Sequence, residues 1–599
     1  MSVVVLSPSG FATGRKLAEG LGQELQARSA PADTVFADTA GHLRGLFTAG
    51  EPILFVGAAG ALIRLLAPLL SDKTSEPPVL AIAEDGSAVI PLLGGHRGAN
   101  DLAREAAAAL GGIAAITTAS DLALGVALDA PPAGWHLAPE SDYKSATAAL
   151  LRGEAAMIDP ALDWLAENDL PSDAEAELKL SASIQRAEPA PDTLTYHPER
   201  LAIGVGCERD AEPEELIRLV EETLADAGLA PEAVAGIFSI DVKMDEAAVH
   251  ALGAHCGRPV RFFDAARLEE ETPRLATPSE IVFKEVGCHG VSEGAALAAA
   301  GPDAALIVPK LKSKRATCAI AEAPAIIDGK ATGTARGRLA LVGIGPGAAD
   351  WRTPEASAAI RSAEVIVGYG LYIDLLGPLA AGKERHDFAL GEEEKRAAYA
   401  LDLAAEGKSV ALVSSGDIGI YAMATLVYEL LDKAGRKDWE RLEVFVTPGI
   451  SALQACAARI GAPLGHDFCT ISLSDLLTPW DAIQTRVKAA AEGDFVISFY
   501  NPVSMRRRTQ LAHAREVLLQ HRPPETPVIL GRSLGRPDET VTVTTLQALS
   551  VDQVDMMTLV MVGSSETRFT GKHVYTPRGY AGKAGTSIRA DDKKDEAAE

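Results

Sequence analysis

A glycine turn at the tip of a buried strand exposes backbone N–H groups, and a carboxylate beside it adds a strong acceptor. Ser414, Ser415, Gly416 and Asp417 form such a turn after an apolar run starting at Val410. In open α/β sheets small molecules bind beyond the carboxyl ends of the strands. Asp417 could therefore hold an amino or hydroxyl group of a ligand, or cap the helix that starts near Ile420. Three further turns share the design. Gly343, Gly345, Pro346 and Gly347 follow RLALV, and Thr447, Pro448 and Gly449 precede Ser451 and Ala452. Tyr500, Asn501 and Pro502 end the run FVISF and lead toward Arg506, Arg507 and Arg508. The GIGPG turn could be mistaken for a dinucleotide loop, or be no more than a tight βα turn. Pro346 stiffens it, and the helix signal Thr353-Pro354-Glu355 comes too late for a pyrophosphate cradle, so a nicotinamide site is disfavoured.

The N-terminal half has its own candidates. Gly94-Gly95-His96-Arg97-Gly98 precedes a helix, where it could receive a carboxylate; His96 titrates in a range suited to proton transfer, or is an exposed residue of a capped turn. Asp241, Lys243 and Glu246 end an apolar strand, and Ser292-Glu293 opens an alanine-rich helix; such carboxylates and lysines serve acid–base chemistry or simple ion pairs. Cys207, Cys288 and His289 lack metal-ligand spacing, and no metal site is expected.

Short apolar runs alternate with amphipathic helical stretches almost throughout the 599 residues, the pattern of a multidomain α/β protein with mainly parallel sheets. The expected units are 1–120, a middle region and linker at 121–200, 201–323, a linker at 324–337, two successive α/β halves at 338–463 and 464–579, and a disordered tail at 580–599. The strand pair around Glu84-Asp85-Gly86 suits a hairpin. A formal net charge of -26 and only 5% aromatic residues disfavour nucleic acid, and the charge also disfavours anionic membrane surfaces. With neither a secretory leader nor a run of about 18 apolar residues, and six scattered cysteines, the chain is expected in the cytoplasm with reduced thiols.

In order and spacing, GIGPG, SSGDIGIYAMA, TPGISA, SFYNP and GRSLGRPDETV resemble the tetrapyrrole methylase family over roughly residues 338–579. Within it they look most like precorrin-3B C(17)-methyltransferases. The resemblance implies a two-domain methylase fold that holds S-adenosylmethionine folded between its domains, methylates carbon 17 of a corrinoid macrocycle and promotes ring contraction. It assigns the donor site to Gly343, Gly345, Pro346, Gly347, Gly416, Asp417, Ile418, Tyr421, Thr447, Ser451, Ala452 and Asn501. A homodimer through this half is expected. Ile418 stands where the family commonly has Pro, and Ala348-Ala349 where it has DP-like residues.

The strings DK-x3-PPV, LLGGHRGAN, SIDVK-x-DE and GVSEGAAL resemble cobalt-precorrin-5A hydrolases over roughly residues 1–324, which implies two or three smaller α/β units, opening of a δ-lactone and loss of acetaldehyde. His96 and Glu293 are the candidate catalytic residues. The alternative is a non-catalytic corrinoid-binding or assembly module. Methyl transfer from a sulfonium depends mainly on alignment, so no base is assigned. The anionic tetrapyrrole substrate needs cations, for which Arg506, Arg507, Arg508, Arg532 and Arg536 are the candidates, unless these are solvated surface arginines.

Overall fold

The computed structural model describes residues 1–579 apart from 30–31, 71–75, 118–123, 167, 169 and 505–506. The expected tail at 580–599 and the first expected boundary near 120 fall outside the described residues.

Continuous apolar runs form strands buried on both faces, and the first unit is built this way. Its seven strands lie in the order Thr34–Val35, Leu25–Ala27, Ser2–Val5, Ile53–Val56, Val79–Ile82, Ala88–Leu93, Ile113–Ala114. Every pairing is parallel except that of Val79–Ile82 with Ala88–Leu93, the hairpin at Glu84-Asp85-Gly86. Helices Phe11–Gly20 and Ala99–Leu110 pack in one core of this sheet, Thr39–Thr48 and Ala59–Leu66 in the other.

The stretch expected as a middle region and linker is a folded unit. Trp135–Leu137, Thr193–Pro198, Leu178–Ala182 and Ala156–Ile158 make a four-stranded sheet around Trp135, Leu180, Leu194 and Tyr196. Its prolines at 189 and 191 stand before Thr193–Pro198, where alternation buries Leu194 and Tyr196. The Tyr196 hydroxyl donates to the Leu128 carbonyl at 2.8 Å, so the buried ring keeps a partner.

The third sheet runs Val260–Phe263, Val234–Ile240, Leu201–Cys207, Ala316–Glu322, Ala305–Lys312; the first three strands are parallel and the last two antiparallel to their neighbours. A Cβ on Gly204 would run into the Ser292 carbonyl, so the alanine-rich helix Val291–Ala300 lies directly on the strand. Helix Pro213–Asp226 packs in the core on the other face.

The C-terminal half has two principal sheets. One is wholly parallel, in the order Glu384–Phe388, Val365–Tyr369, Ser409–Ser414, Arg338–Gly343, Glu443–Thr447. The other runs Phe468–Ser472, Val496–Tyr500, Thr558–Val562, Pro527–Arg532, Thr540–Thr545, and only its first pairing is parallel. This sheet departs from the parallel pairing that prevails in the chain, and one of its antiparallel pairs has a plain geometric reason. Residues 533–539 alone join Pro527–Arg532 to Thr540–Thr545, too few for a crossover of about a dozen residues. The expected boundary at 463 assigns helix Ala452–Ile460 to the first of these sheets, yet its Leu453, Ala455 and Cys456 pack with Val496, Ile529 and Met561 of the second.

Arg522 pins this second sheet. Its buried guanidinium donates to the carbonyls of Gly563, Ala490 (3.2 Å) and Phe495 (2.6 Å). Each acceptor left without a donor costs about 1–3 kcal/mol. Arg522→Met is therefore expected to lower the calorimetric unfolding midpoint by about 5–10 °C; a shift below about 1 °C would contradict this role.

The first sheet meets the C-terminal half through a buried ion pair, Glu24 with Arg352, to which the exposed Arg361 adds a second cation. Glu24 accepts from Arg352 at 3.1 Å and Arg361 at 3.2 Å, and the Glu24 and Arg352 side chains are only 5% and 4% exposed. A cavity of about 630 Å³ lies beside it, with Asp33, His42 and Glu51 in its wall. The third sheet makes a second contact, Asp241 with Arg441 at 3.5 Å.

No helix among the described residues is long and apolar enough to cross a membrane.

Candidate functional site

Three strands of the parallel sheet end side by side at Gly343, Ser414 and Thr447, and their turns are tied to one another through backbone atoms. Gly345 and Gly416 exchange N–H···O bonds of 3.1 and 2.7 Å. A Cβ on Gly343 would lie 2.8 Å from the Gly416 carbonyl and 3.0 Å from the Gly449 nitrogen, so no larger residue fits. Asp417 does not cap a helix, which begins only at Met423. Its carboxylate instead accepts from Gly419 N–H at 2.8 Å and Gly449 N–H at 3.1 Å, fixing one turn against the next.

Beyond these tips the second sheet closes a cleft of about 320 Å³. Pro346, Gly416, Asp417, Tyr421, Ser451, Ala452 and Asn501 line it, so seven of the twelve predicted donor-site residues share one cavity wall. Tyr421, Asn501 and Ser533 also line it and have φ of 53°, 48° and 49°. Non-glycine residues seldom hold the left-handed conformation, and the strain collects at ligand sites. The Tyr421 and Tyr500 rings lie 5.3 Å apart. Tyr421 donates to the Thr470 carbonyl at 3.0 Å, spanning the two sheets. Tyr500 donates to Ser451 Oγ at 3.1 Å and accepts from Leu453 N–H at 3.1 Å. Burial pushes its phenol above the ordinary range, so it remains a neutral donor.

The other predicted residues sit behind this wall. Gly343 and Gly345 knit the loops. Gly347 packs on the Gly535 carbonyl and Arg536, where a Cβ would come within 2.8 Å of each. Ile418 is buried in the apolar core, which an aliphatic residue suits. Thr447 is fully buried and its hydroxyl has no partner.

Of the predicted arginine anchors among the described residues, only Arg536 reaches the cleft, with its Nε 3.4 Å from the Pro346 carbonyl. Arg507 binds Ser474 Oγ and the Asn501 carbonyl, both at 3.0 Å; Arg508 pairs with Asp552; Arg532 pairs with Asp538 and Asp555. Arg506 lies outside the described residues. Sequence reasoning missed Tyr372, Arg396, Met556 and Met557, which line the same cleft. Nothing in EEEKRAA marks Arg396 as different from a surface helix arginine.

In the N-terminal half, His96 lies in the short turn Gly95–Arg97 of the first unit, and its side chain is outside the description. Glu293, the other candidate, belongs to the third sheet's unit. It is 1% exposed and accepts from Thr277 N–H, Thr277 Oγ1 and Lys310 N–H at 2.9–3.0 Å. These bonds hold its carboxyl below the usual range against the opposing effect of burial, and they tie a loop to a strand. Asp241, at the tip of Val234–Ile240, is the contrasting carboxyl: burial raises it despite Arg441. Burial pushes the Cys207 thiol up to about 11, which removes it as a thiolate nucleophile. Among the described residues no cluster of three or more His, Cys, Asp or Glu could hold a metal ion.

Two sheets whose loops close on one cleft define a class, and residues 338–550 match the model of Tetrapyrrole (Corrin/Porphyrin) Methylases; the chain belongs to this family. Residues 41–121 match Cobalamin synthesis G N-terminal and residues 201–321 match Cobalamin synthesis G C-terminus. The chain is 47% identical over 251 residues to a precorrin-3B C(17)-methyltransferase of Sinorhizobium sp, covering 41% of this chain and 98% of that relative. It is 45% identical over 248 residues to a cobalt-factor III methyltransferase of Priestia megaterium, but there the match spans 41% of this chain and less than half, 46%, of the relative. A crystal structure of the methyltransferase CobJ is 40% identical, covers 40% of this chain and all of that one, and superposes with a TM-score of 0.39.

Proposed function

We propose that the C-terminal half transfers the methyl group of S-adenosylmethionine to carbon 17 of an anionic precorrin or cobalt-precorrin, and that the N-terminal half is a cobalt-precorrin-5A hydrolase acting in the same pathway. The single observation behind the first part is the meeting of four strand-tip turns around one cleft, with three left-handed non-glycine residues in its wall. The cleft fits the donor chemically: Gly416 leaves space where a Cβ would meet only Ser451 Cα at 3.8 Å, and the backbone of three turns surrounds it. S-adenosylmethionine supplies an electrophilic methyl on a sulfonium. The protein's share is alignment and exclusion of water, with Pro346, Asp417, Tyr421, Ser451, Ala452 and Asn501 at the donor and Arg536 toward the macrocycle.

The reading carries a cytoplasmic location and a homodimer through the methylase half. Leu476 and Leu477, 84% and 93% exposed, support the latter as apolar surface beside the second sheet. Sedimentation of a Leu476→Ser/Leu477→Ser variant as a monomer would bear it out.

Product mass spectrometry with isotopically labelled methyl donor tests the transfer: one labelled methyl per macrocycle is expected. Titrations should show binding of S-adenosylmethionine and S-adenosylhomocysteine but not of NAD. A second reading, in which the N-terminal half binds corrinoid or mediates assembly without catalysis, is favoured by the fully engaged Glu293 carboxylate. Acetaldehyde release from cobalt-precorrin-5A separates them. The hydrolase reading expects release by the wild type and its loss in His96→Ala or Asp241→Asn proteins that still methylate; no release by wild type removes that reading.

A further inference from the structure

We propose that Arg396 is a carboxylate anchor in the methylase cleft, where its buried guanidinium awaits an acceptor that a ligand supplies. The inference rests on the methyl-transfer reading above and names how the same site holds an anion.

Arg396 is the fourth residue of helix Glu393–Ala405, and its side chain is 3% exposed. Among the described residues it nevertheless makes no side-chain hydrogen bond: Nε and Nη2 are buried without partners, and the one carboxylate within ion-pair distance, Glu393, stands 3.6 Å away. The other two buried arginines among the described residues are treated differently by the fold. Arg352 has Glu24 and Ser357, and Arg522 has three carbonyls. A guanidinium stays charged even when buried, and a buried charge without acceptors is destabilising. Such a group persists where its missing partner arrives with a ligand.

The cleft is built for that. Arg396 lines it together with Tyr372, Ser414 and Ser415. Among the described residues the other charged ones in its wall are Glu393, Asp417 and Arg536. Asp417 is already fixed by two backbone donors, and Arg536 reaches the Pro346 carbonyl from across the cleft. Arg396 is thus the charged donor in the cleft with no acceptor of its own. A planar guanidinium presents paired N–H groups that match a carboxylate. Two carboxylates can reach this site: that of the amino-acid part of the methyl donor, and an acetate or propionate of the macrocycle.

The test uses the full chain, with Arg396→Met and Arg396→Lys, and calorimetric titration with S-adenosylhomocysteine and with 5′-methylthioadenosine, which lacks the carboxylate. If the donor's carboxylate is held, Arg396→Met weakens S-adenosylhomocysteine about 10- to 100-fold and leaves methylthioadenosine within twofold. If a ring carboxylate is held, both nucleosides bind normally and KM for the tetrapyrrole rises by a similar factor, with kcat nearly unchanged. Arg396→Lys falls between, keeping the charge without the fork. Ligand-free Arg396→Met should be at least as heat-stable as ligand-free wild type, which a purely structural arginine would not allow. Unchanged nucleoside binding and unchanged KM, or a clear loss of ligand-free stability, overturns the anchor alone. Wild-type protein that fails to bind S-adenosylhomocysteine overturns the methyl-transfer reading, and the anchor with it.

Discussion

Gly449→Ala is expected to abolish S-adenosylhomocysteine binding and methyl transfer while leaving the N-terminal sheets folded. A Cβ at this position would run into the Gly416 carbonyl and lie 2.9 Å from the Gly343 carbonyl group. The obstacles are backbone atoms, which cannot swing aside as a flexible side chain can. Making room means moving the Gly416 turn, which breaks the paired bonds between Gly345 and Gly416 and the Asp417 bond to Gly449 N–H. A displacement of about 1 Å at a methyl-transfer site costs on the order of 100-fold in rate. Titration calorimetry and labelled-methyl transfer measure the two losses, and circular dichroism checks the fold. Activity within threefold of wild type would mean that the three turns do not act as one unit.

Glu24→Gln should have the second-largest effect, and at a distance. Removing one member of a buried ion pair strands the other, at about 3–5 kcal/mol. The introduced amide oxygen could still accept from one arginine, but its NH2 group would face the other guanidinium as a second donor, and the charge that offsets the buried Arg352 would be gone. Arg352 follows Trp351, whose carbonyl would lie 2.7 Å from a Cβ on Gly345, so the stranded arginine sits directly behind the GIGPG turn. The unfolding midpoint should fall, and S-adenosylhomocysteine should bind more weakly although Glu24 belongs to another unit. Glu51→Gln, at a carboxylate 44% exposed in the same cavity, is the control and should change stability by less than about 0.5 kcal/mol. Equal effects of the two substitutions would show that burial of the Glu24–Arg352 pair is energetically irrelevant. A stability loss with unchanged ligand binding would confine the pair to domain docking. The result bears on why the two halves share a chain, since it tests whether the N-terminal unit supports the methylase loop.

The strand-tip turns were legible because glycine, proline and short polar residues declare a turn locally. VVV, ILFV and RLALVG likewise declare buried strands by composition alone. Those local signals, and the resemblance they carry, are enough to read the α/β class, the methylase half and the set of turns that meet at the cleft. Other features depend on partners remote in the chain, and local composition is blind to them. Thr193–Pro198 became a central strand through its neighbours Trp135–Leu137 and Leu178–Ala182. Helix Ala452–Ile460 joined the second sheet because Cys456 and Leu453 find their apolar contacts there. The arginines follow the same logic: composition marks the run 506–508 as an anion site, but folding supplies Arg507 with Ser474 and the Asn501 carbonyl and Arg508 with Asp552, whereas among the described residues Arg396 is buried with no hydrogen-bond acceptor. Residue type sets what a side chain can donate or accept, but whether it is already satisfied depends on which atoms the fold brings to it.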